Sequence, residues 1–264
     1  MNPLWAGVMV SLLLAGCASG PADNISLIPG DQVATQTAKD GLFTQPVEWK
    51  KTKPGCDGNC PSIEVKSLAF PGVPILTRLV DHALAIMTGV SATSAPPYTT
   101  LAEFEQYFWQ TAAPRDAVFL SARTRYMNRN LSVIELNSQQ RITGAAHGIT
   151  ATQFLNWDNN TGKVLGIRNV LVAGQYDAYL RALRQAHQQW LETQPDAKGD
   201  PEAYLHMWPF QPSDNFAFTD QGLVVKYDAY AIAPYAAGLP ELTIPYEQLK
   251  GILKPEYLPS DSTG

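Results

Sequence analysis

Positive charge, cysteine and long apolar runs are all scarce in this chain of 264 residues. Nineteen Lys and Arg against 24 Asp and Glu give a formal net charge of −5 and a pI near 5.4. Such a surface has no basic excess to displace counterions from phosphates, which excludes a nucleic-acid binder. The apolar run Leu4–Gly16 falls short of the roughly 20 residues a membrane-spanning helix needs. No HExxH, GxSxG, P-loop or GxGxxG motif is present, so the common metalloprotease, serine-hydrolase and nucleotide-binding chemistries find no local signature. The four histidines, His82, His147, His187 and His206, contain no i,i+4 pair, so the sequence points to no metal site and no cofactor. What is plentiful is apolar content, 45%, enough to bury a core without metal or disulfide support. Twenty prolines and 19 glycines lie between the apolar runs as turn punctuation.

Three cysteines is an odd number, so in an exported protein one has another task. The apolar run ends in Leu14-Ala15-Gly16-Cys17, which resembles the bacterial lipobox. That resemblance implies a signal peptide over residues 1–16 and lipid attachment at Cys17, with Ala15 and Gly16 small enough for a peptidase to close around the backbone. Two or more acyl chains give stable anchoring. The other reading is a buried N-terminal helix holding Cys17 as a core thiol. With Ala18 after the cysteine, lipoprotein sorting in a Gram-negative cell implies the outer membrane, facing the periplasm. Residues 17–52 are read as lipid anchor and flexible tether, poor in large apolar groups at their start. Cys56 and Cys60 bracket Asp-Gly-Asn, a turn-forming stretch, and are expected to pair as a structural disulfide in an oxidising compartment. A metal reading lacks two further soft ligands nearby, and a redox reading lacks the C-x-x-C spacing.

Hydrophobic periodicity gives an α+β fold, with an antiparallel sheet of hairpin strands packed with two or three longer helices. Ser62–Phe70 alternates as a strand, Val73–Met87 and Thr100–Thr111 repeat at helical spacing, and Thr100 with Glu103 forms a capping box. His82, alone on the first of these helices, reads as a surface or capping group. Ala117–Asn128, Leu131–Ser138 and His147–Trp157 read as three strands. Tyr176–Thr193 is the strongest amphipathic helix, followed by a short helix over Pro201–Met207, strands at Asn215–Thr219 and Gly222–Ala229, and a last helix begun by Pro245. The expected partition is an N-terminal α+β subdomain over 53–172, a C-terminal subdomain over 173–258 and a disordered tail over 259–264.

Two stretches carry a more specific signal. Residues 143–171, TGAAHGITATQFLNWDNNTGKVLGIRNVL, and residues 215–253, NFAFTDQGLVVKYDAYAIAPYAAGLPELTIPYEQLKGIL, resemble the signature of the RsiV-like family. That family includes the extracytoplasmic part of the lysozyme-binding anti-sigma factor RsiV and the non-catalytic N-terminal region of the peptidoglycan deacetylase PdaC. The resemblance implies an envelope lipoprotein module that binds a protein or a glycan, with lysozyme or peptidoglycan as the partner. The sigma-binding segment and the deacetylase domain have no counterpart in this sequence, so neither signalling nor PdaC catalysis carries over.

Candidate site residues are few. His147 follows Gly144, Ala145 and Ala146, which leave its ring room. It is either a general base or a strand-start histidine bonded to a nearby carbonyl. Tyr227, Tyr230 and Tyr235, in one run with Pro234 and Gly238, form either a carbohydrate-stacking or protein-binding patch, to which His147 is a further candidate, or a core strand followed by a turn. The leading functional reading is non-enzymatic binding at the envelope. The alternative is a cell-wall hydrolase or deacetylase-like enzyme using His147.

Overall fold

A computed structural model of the chain describes residues 41–89 and 94–259. The expected signal peptide, Cys17 and most of the expected tail lie outside the described residues. Among the described residues no helix is long and apolar enough to cross a membrane, and no cluster of His, Cys, Asp and Glu could hold a metal ion. The architecture is α+β, as the periodicity predicts.

Six strands form the main sheet: β1 Gln45–Thr52, β2 Ser62–Ala69, β3 Ala117–Met127, β4 Leu131–Arg141, β5 Ile149–Asp158 and the short β6 Lys163–Val164. They lie side by side in sequence order. All pairs are antiparallel except β2 with β3, which run parallel. A parallel pair needs a long crossover, supplied here by helices α1 Pro74–Ile86 and α2 Leu101–Thr111. α1 starts with proline in its first turn, and α2 with the expected Thr100–Glu103 capping box. His82 on α1 meets the carbonyl of Thr99 at 2.8 Å through Nδ1, tying the two helices together as a structural group.

Two expected boundaries change. The tether does not run to residue 52, because residues 45–52 are the edge strand β1 and Leu42 is already packed in the core. Polar side chains at Glu48, Lys50 and Lys51 suit an edge strand with little buried surface, which is why the stretch reads as tether by composition. Cys56 and Cys60 close the β1–β2 turn as a disulfide, their Cα atoms 5.8 Å apart.

The second correction concerns the division at residue 172. A short helix α3, Ile167–Val170, leads to α4, Tyr176–Leu191, then to two short helices, α5 Pro195–Gly199 and α6 Pro201–Met207. A small antiparallel sheet follows, β7 Phe216–Phe218, β8 Gly222–Lys226 and β9 Glu241–Pro245, then helix α7 Tyr246–Leu249. β9 stands where the sequence suggests only the approach to a helix. This second half has no core of its own. One apolar cluster joins Leu183, Phe216, Leu223 and Ile244 to Leu131, Val133 and Phe154 of the main sheet. The other cluster packs α1 and α2 on Ile63, Leu120, Ile134 and Leu155. β4 is therefore buried on both faces, with alternate residues serving alternate cores. The two halves share that strand and are not independent subdomains.

Amide side chains stitch the layers. Asn156 donates to the carbonyl of Phe216 at 2.7 Å, and Asn215 accepts from the Phe154 N–H at 2.7 Å. These residues lie in the two signature stretches, so much of the signature is cement between sheets. Charge also crosses the interface. Glu135 of β4, 1% exposed, accepts from Lys226 of β8 at 2.5 Å and from Arg123 at 2.7 Å. Lys226 also meets Glu241 at 3.2 Å, and Arg125 reaches the same carboxylate at 3.1 Å. A register shift between Thr124 and Tyr126 leaves Arg125 as the extra residue of a β-bulge, which re-aims its side chain into the network.

His187, on the buried face of α4, is 1% exposed. Its ring lies between Trp190 and Phe210, with centroids at 6.0 and 5.6 Å, and its Nε2 has no partner among the described residues. Burial, helped by the Arg184 charge, holds its pKa below the ordinary 6.5. The unfolded chain then takes up the proton more readily, so stability is complete above pH 6.5 and declines as pH falls through the lower folded value. Melting temperature followed from pH 7 to pH 5 is expected to fall less in His187→Phe than in the wild type. Parallel curves would show that His187 contributes nothing to the acid sensitivity.

Candidate functional site

The face of the main sheet that receives the second half is only partly covered. Over the β1, β2 and β3 side it stays open, forming a cleft of about 530 Å³. Strand registry puts one residue from each of five strands in a row across its floor. Lys50 pairs with Glu64, Glu64 with Phe119, Phe119 with Gln139, and Gln139 with Thr150. All five line the cleft. Side chains in register on one face are neighbours, so the row is a continuous strip of ammonium, carboxylate, ring, amide and hydroxyl. A second row, Ser62, Ala117 and Arg141, lies beside it. Lys50 sits 3.1 Å from Glu64, and Lys66 approaches the same carboxylate at 3.4 Å. The hydrogen bond from Lys50 is the chief reason the Glu64 carboxyl is held below its usual pKa.

The wall of the cleft comes from two loops. The one between β4 and β5 is pinned by Asp116, which accepts from Thr143 N at 2.7 Å and Ala113 N at 2.8 Å. It delivers His147. The other follows β8, is tied to β5 where Asp228 accepts from Thr152 N at 2.7 Å, and delivers Tyr230 and Tyr235. The His147 ring stacks on Tyr235 with centroids 4.8 Å apart and planes at 27°. Tyr230 lies 5.4 Å from His147 and 5.7 Å from Tyr235, and Trp208, just after α6, stacks on the Tyr230 ring at 6.1 Å. Four rings thus form one cluster that meets the cleft at Tyr235, with Tyr230 46% and Tyr235 38% exposed. Tyr230 holds φ at +68°, a left-handed backbone that costs a bulky residue energy, and such outliers gather at binding and catalytic sites.

Of the predicted residues, His147, Tyr230 and Tyr235 meet, although about 83 positions separate the first two. Tyr227 does not join them. It is 4% exposed, and its hydroxyl donates to the carbonyl of Gln211 at 2.8 Å. Standing just past the end of β8, it packs in the core, with burial pushing its phenol pKa well up. The candidate patch therefore keeps two of the three tyrosines. Trp208 and the floor residues were not among the candidates. Alternation along β2, β3 and β4 does mark Glu64, Phe119 and Gln139 as residues off the core face. Their alignment depends on the strand order, which alternation does not encode.

His147 is exposed, and both its nitrogens are engaged. Nδ1 meets the carbonyl of Gly148 at 3.0 Å, so it carries the hydrogen, and Nε2 accepts from the Tyr230 hydroxyl at 3.0 Å. The geometry is that of the second reading, a histidine just before a strand bonded to a neighbouring carbonyl, and the ring is also part of the aromatic cluster. No serine, cysteine or carboxylate bonds to it among the described residues, so a nucleophile–base–acid relay is not assembled around it.

A family profile described as "Protein of unknown function (DUF3298)" matches residues 169–247. No functionally curated protein matches the chain. The crystal structure of a DUF3298 family protein from Pseudomonas aeruginosa PAO1 is 37% identical, with a TM-score of 0.77, over 84% of this chain and 99% of that one. A DUF3298 member from Bacteroides fragilis NCTC 9343 is 20% identical and shares the fold, with a TM-score of 0.61 over 82% of this chain and 95% of its own. The profile covers the helix α4, the small sheet and the loop bearing Tyr230 and Tyr235, while the floor of the cleft lies outside it. With more than a third of its residues identical across nearly the whole length of a solved member, the chain belongs to the DUF3298 family.

Proposed function

We propose that this protein is a non-enzymatic, lipid-anchored component of the bacterial envelope that binds a glycan in the cleft. The observation that carries the reading is the pairing of an exposed aromatic rim with a polar floor. Pyranose rings offer apolar C–H faces and a fringe of hydroxyls. They are held where aromatic rings stack against the first and amides, hydroxyls and charged groups bond the second. Tyr235 and Phe119 supply rings from the wall and floor of one cleft, while Gln139, Thr150 and Ser62 supply hydrogen-bonding groups beside them. The lipobox at Cys17 would hold the domain within reach of peptidoglycan, the glycan polymer of the periplasm. The RsiV-like signature agrees with an envelope binding module.

Isothermal titration with a soluble muropeptide and with a chitin oligosaccharide tests the reading. Micromolar to submillimolar binding is expected for at least one of them. Tyr235→Ala should weaken it about tenfold or more, the loss of one well-packed aromatic contact. Absence of binding at millimolar ligand would overturn the glycan reading. Tight binding of lysozyme, unchanged by Tyr235→Ala, would replace it with a protein partner on another surface. Altered muropeptide products that disappear in His147→Ala would point to the enzymatic alternative.

A further inference from the structure

Although the chain as a whole is acidic, the cleft is not. The charged residues along it are Lys50, Glu64 and Arg141, and Lys66 leans in from the same face of β2, 5.8 Å above the Phe119 ring. Glu64 is the one carboxylate among the residues lining the cleft, and two ammonium groups engage it, so its charge is already matched. Arg141 forms no ion pair among the described residues. Its Nε donates to the carbonyl of Arg115 at 3.3 Å, which orients the guanidinium. Glu48, opposite Lys66 on the same face, is a second carboxylate beside the site, so three cations face two carboxylates and one excess positive charge remains, carried by Arg141 inside a concave site whose walls sharpen its field. A guanidinium fixed through one nitrogen and otherwise without an acceptor is suited to a carboxylate, which takes two parallel N–H bonds from such a fork.

From this arrangement we infer that the cleft selects a saccharide bearing a carboxylate, with the acid group seated at Arg141 and a sugar ring stacked on Tyr235. The inference rests on the glycan reading above and narrows it to acidic sugars. It also gives the two rows of the floor different tasks. The row ending in Thr150 meets hydroxyls, and the row ending in Arg141 meets the charge. Lys50 stands at the outer end of the first row, three strands from Arg141, so it adds to the field of the cleft while Arg141 supplies the seat.

Three disaccharide probes separate the possibilities: N-acetylglucosaminyl-N-acetylmuramic acid with its lactyl carboxylate, the same disaccharide as its carboxamide, and neutral di-N-acetylchitobiose. At low salt the acid is expected to bind about tenfold or more tightly than the amide. Raising the salt to about 0.5 M, where the screening length falls to a few ångströms, should remove most of the difference. In Arg141→Gln the acid and the amide should bind with equal affinity, and Arg141→Lys should restore part of the preference. Unchanged thermal unfolding of Arg141→Gln, an exposed position, would certify the comparison, and Arg141→Met offers a second test if that variant does not fold. Equal affinity for acid and amide would overturn the acidic-sugar inference and leave the glycan reading standing. Binding of none of the three would overturn both.

Discussion

Replacing Glu135 with alanine is expected to destabilise the protein by about 3–5 kcal/mol, the usual cost of leaving a buried partner charge uncompensated. Lys226 would lose its 2.5 Å contact and share Glu241 with Arg125 at the boundary between the sheets. Urea unfolding checks this directly. A loss below about 1 kcal/mol would mean that water or Glu241 takes over the charge of Lys226. The double variant Glu135→Leu/Lys226→Met should recover a large part of the loss, because the penalty comes from an orphaned charge more than from a missing attraction. The pH dependence has a defined sign. Burial opposes ionisation of Glu135, but Lys226, then Arg123, outweigh it and hold the carboxyl below its ordinary 4.5. The stabilisation is complete above that pH and is lost as pH falls through the lower folded value. Glu135→Gln should therefore be the weaker protein at pH 7 and show a flatter acid limb.

Gly222→Ala is expected to be of similar severity. Gly222 opens β8 opposite Pro245. A Cβ there would stand 2.1 Å from the carbonyl oxygen of Ile244 and 2.9 Å from the backbone of Pro245. Both obstacles are main chain of the paired strand β9, so relief requires moving the ladder itself. Over-packing of this kind costs about 3 kcal/mol or leaves the chain unfolded. Differential scanning calorimetry of a soluble variant, or its failure to accumulate in soluble form, reads the result. A melting temperature within a degree or two of the wild type would mean that β8 and β9 separate at that end without loss. Alanine at Gly199, where nothing lies within 4 Å and the backbone is not left-handed, is the matching control for an open site.

Much of the fold could be read in the sequence because it is written in local periodicity. Leu76, Val80 and Leu84 on α1, the Thr100–Glu103 cap, and the stripe of Tyr179, Leu183 and His187 on α4 all lie where spacing puts them. β1 was missed because an edge strand with one paired side and little burial carries no apolar alternation. The parallel pairing of β2 and β3 was missed because registry between strands separated by two helices is a long-range property. At the site, the rarity of aromatics among small residues marked Tyr230 and Tyr235, and the small residues before His147 marked it. Nothing local says that these two segments meet. The same signal included Tyr227, which stands just past the end of β8 with its ring in the core, because the spacing of the tyrosines does not show where the packed segment gives way to the exposed loop. Arg141 had no signal, because a charged residue at a strand end is the commonest thing a surface offers.

The strand β4, buried on both sides, has a consequence for cutting the protein into pieces. Residues 169–247, which carry the family profile, look like a portable module along the chain. Their apolar surface closes on Leu131, Val133 and Phe154 of the preceding half, and their ion pairs close on Glu135. A fragment starting near residue 169 would present that surface to water, with Lys226 missing its nearest counter-charge. The smallest inheritable unit is thus the whole of both layers, and any fusion partner or neighbouring domain must join at its ends.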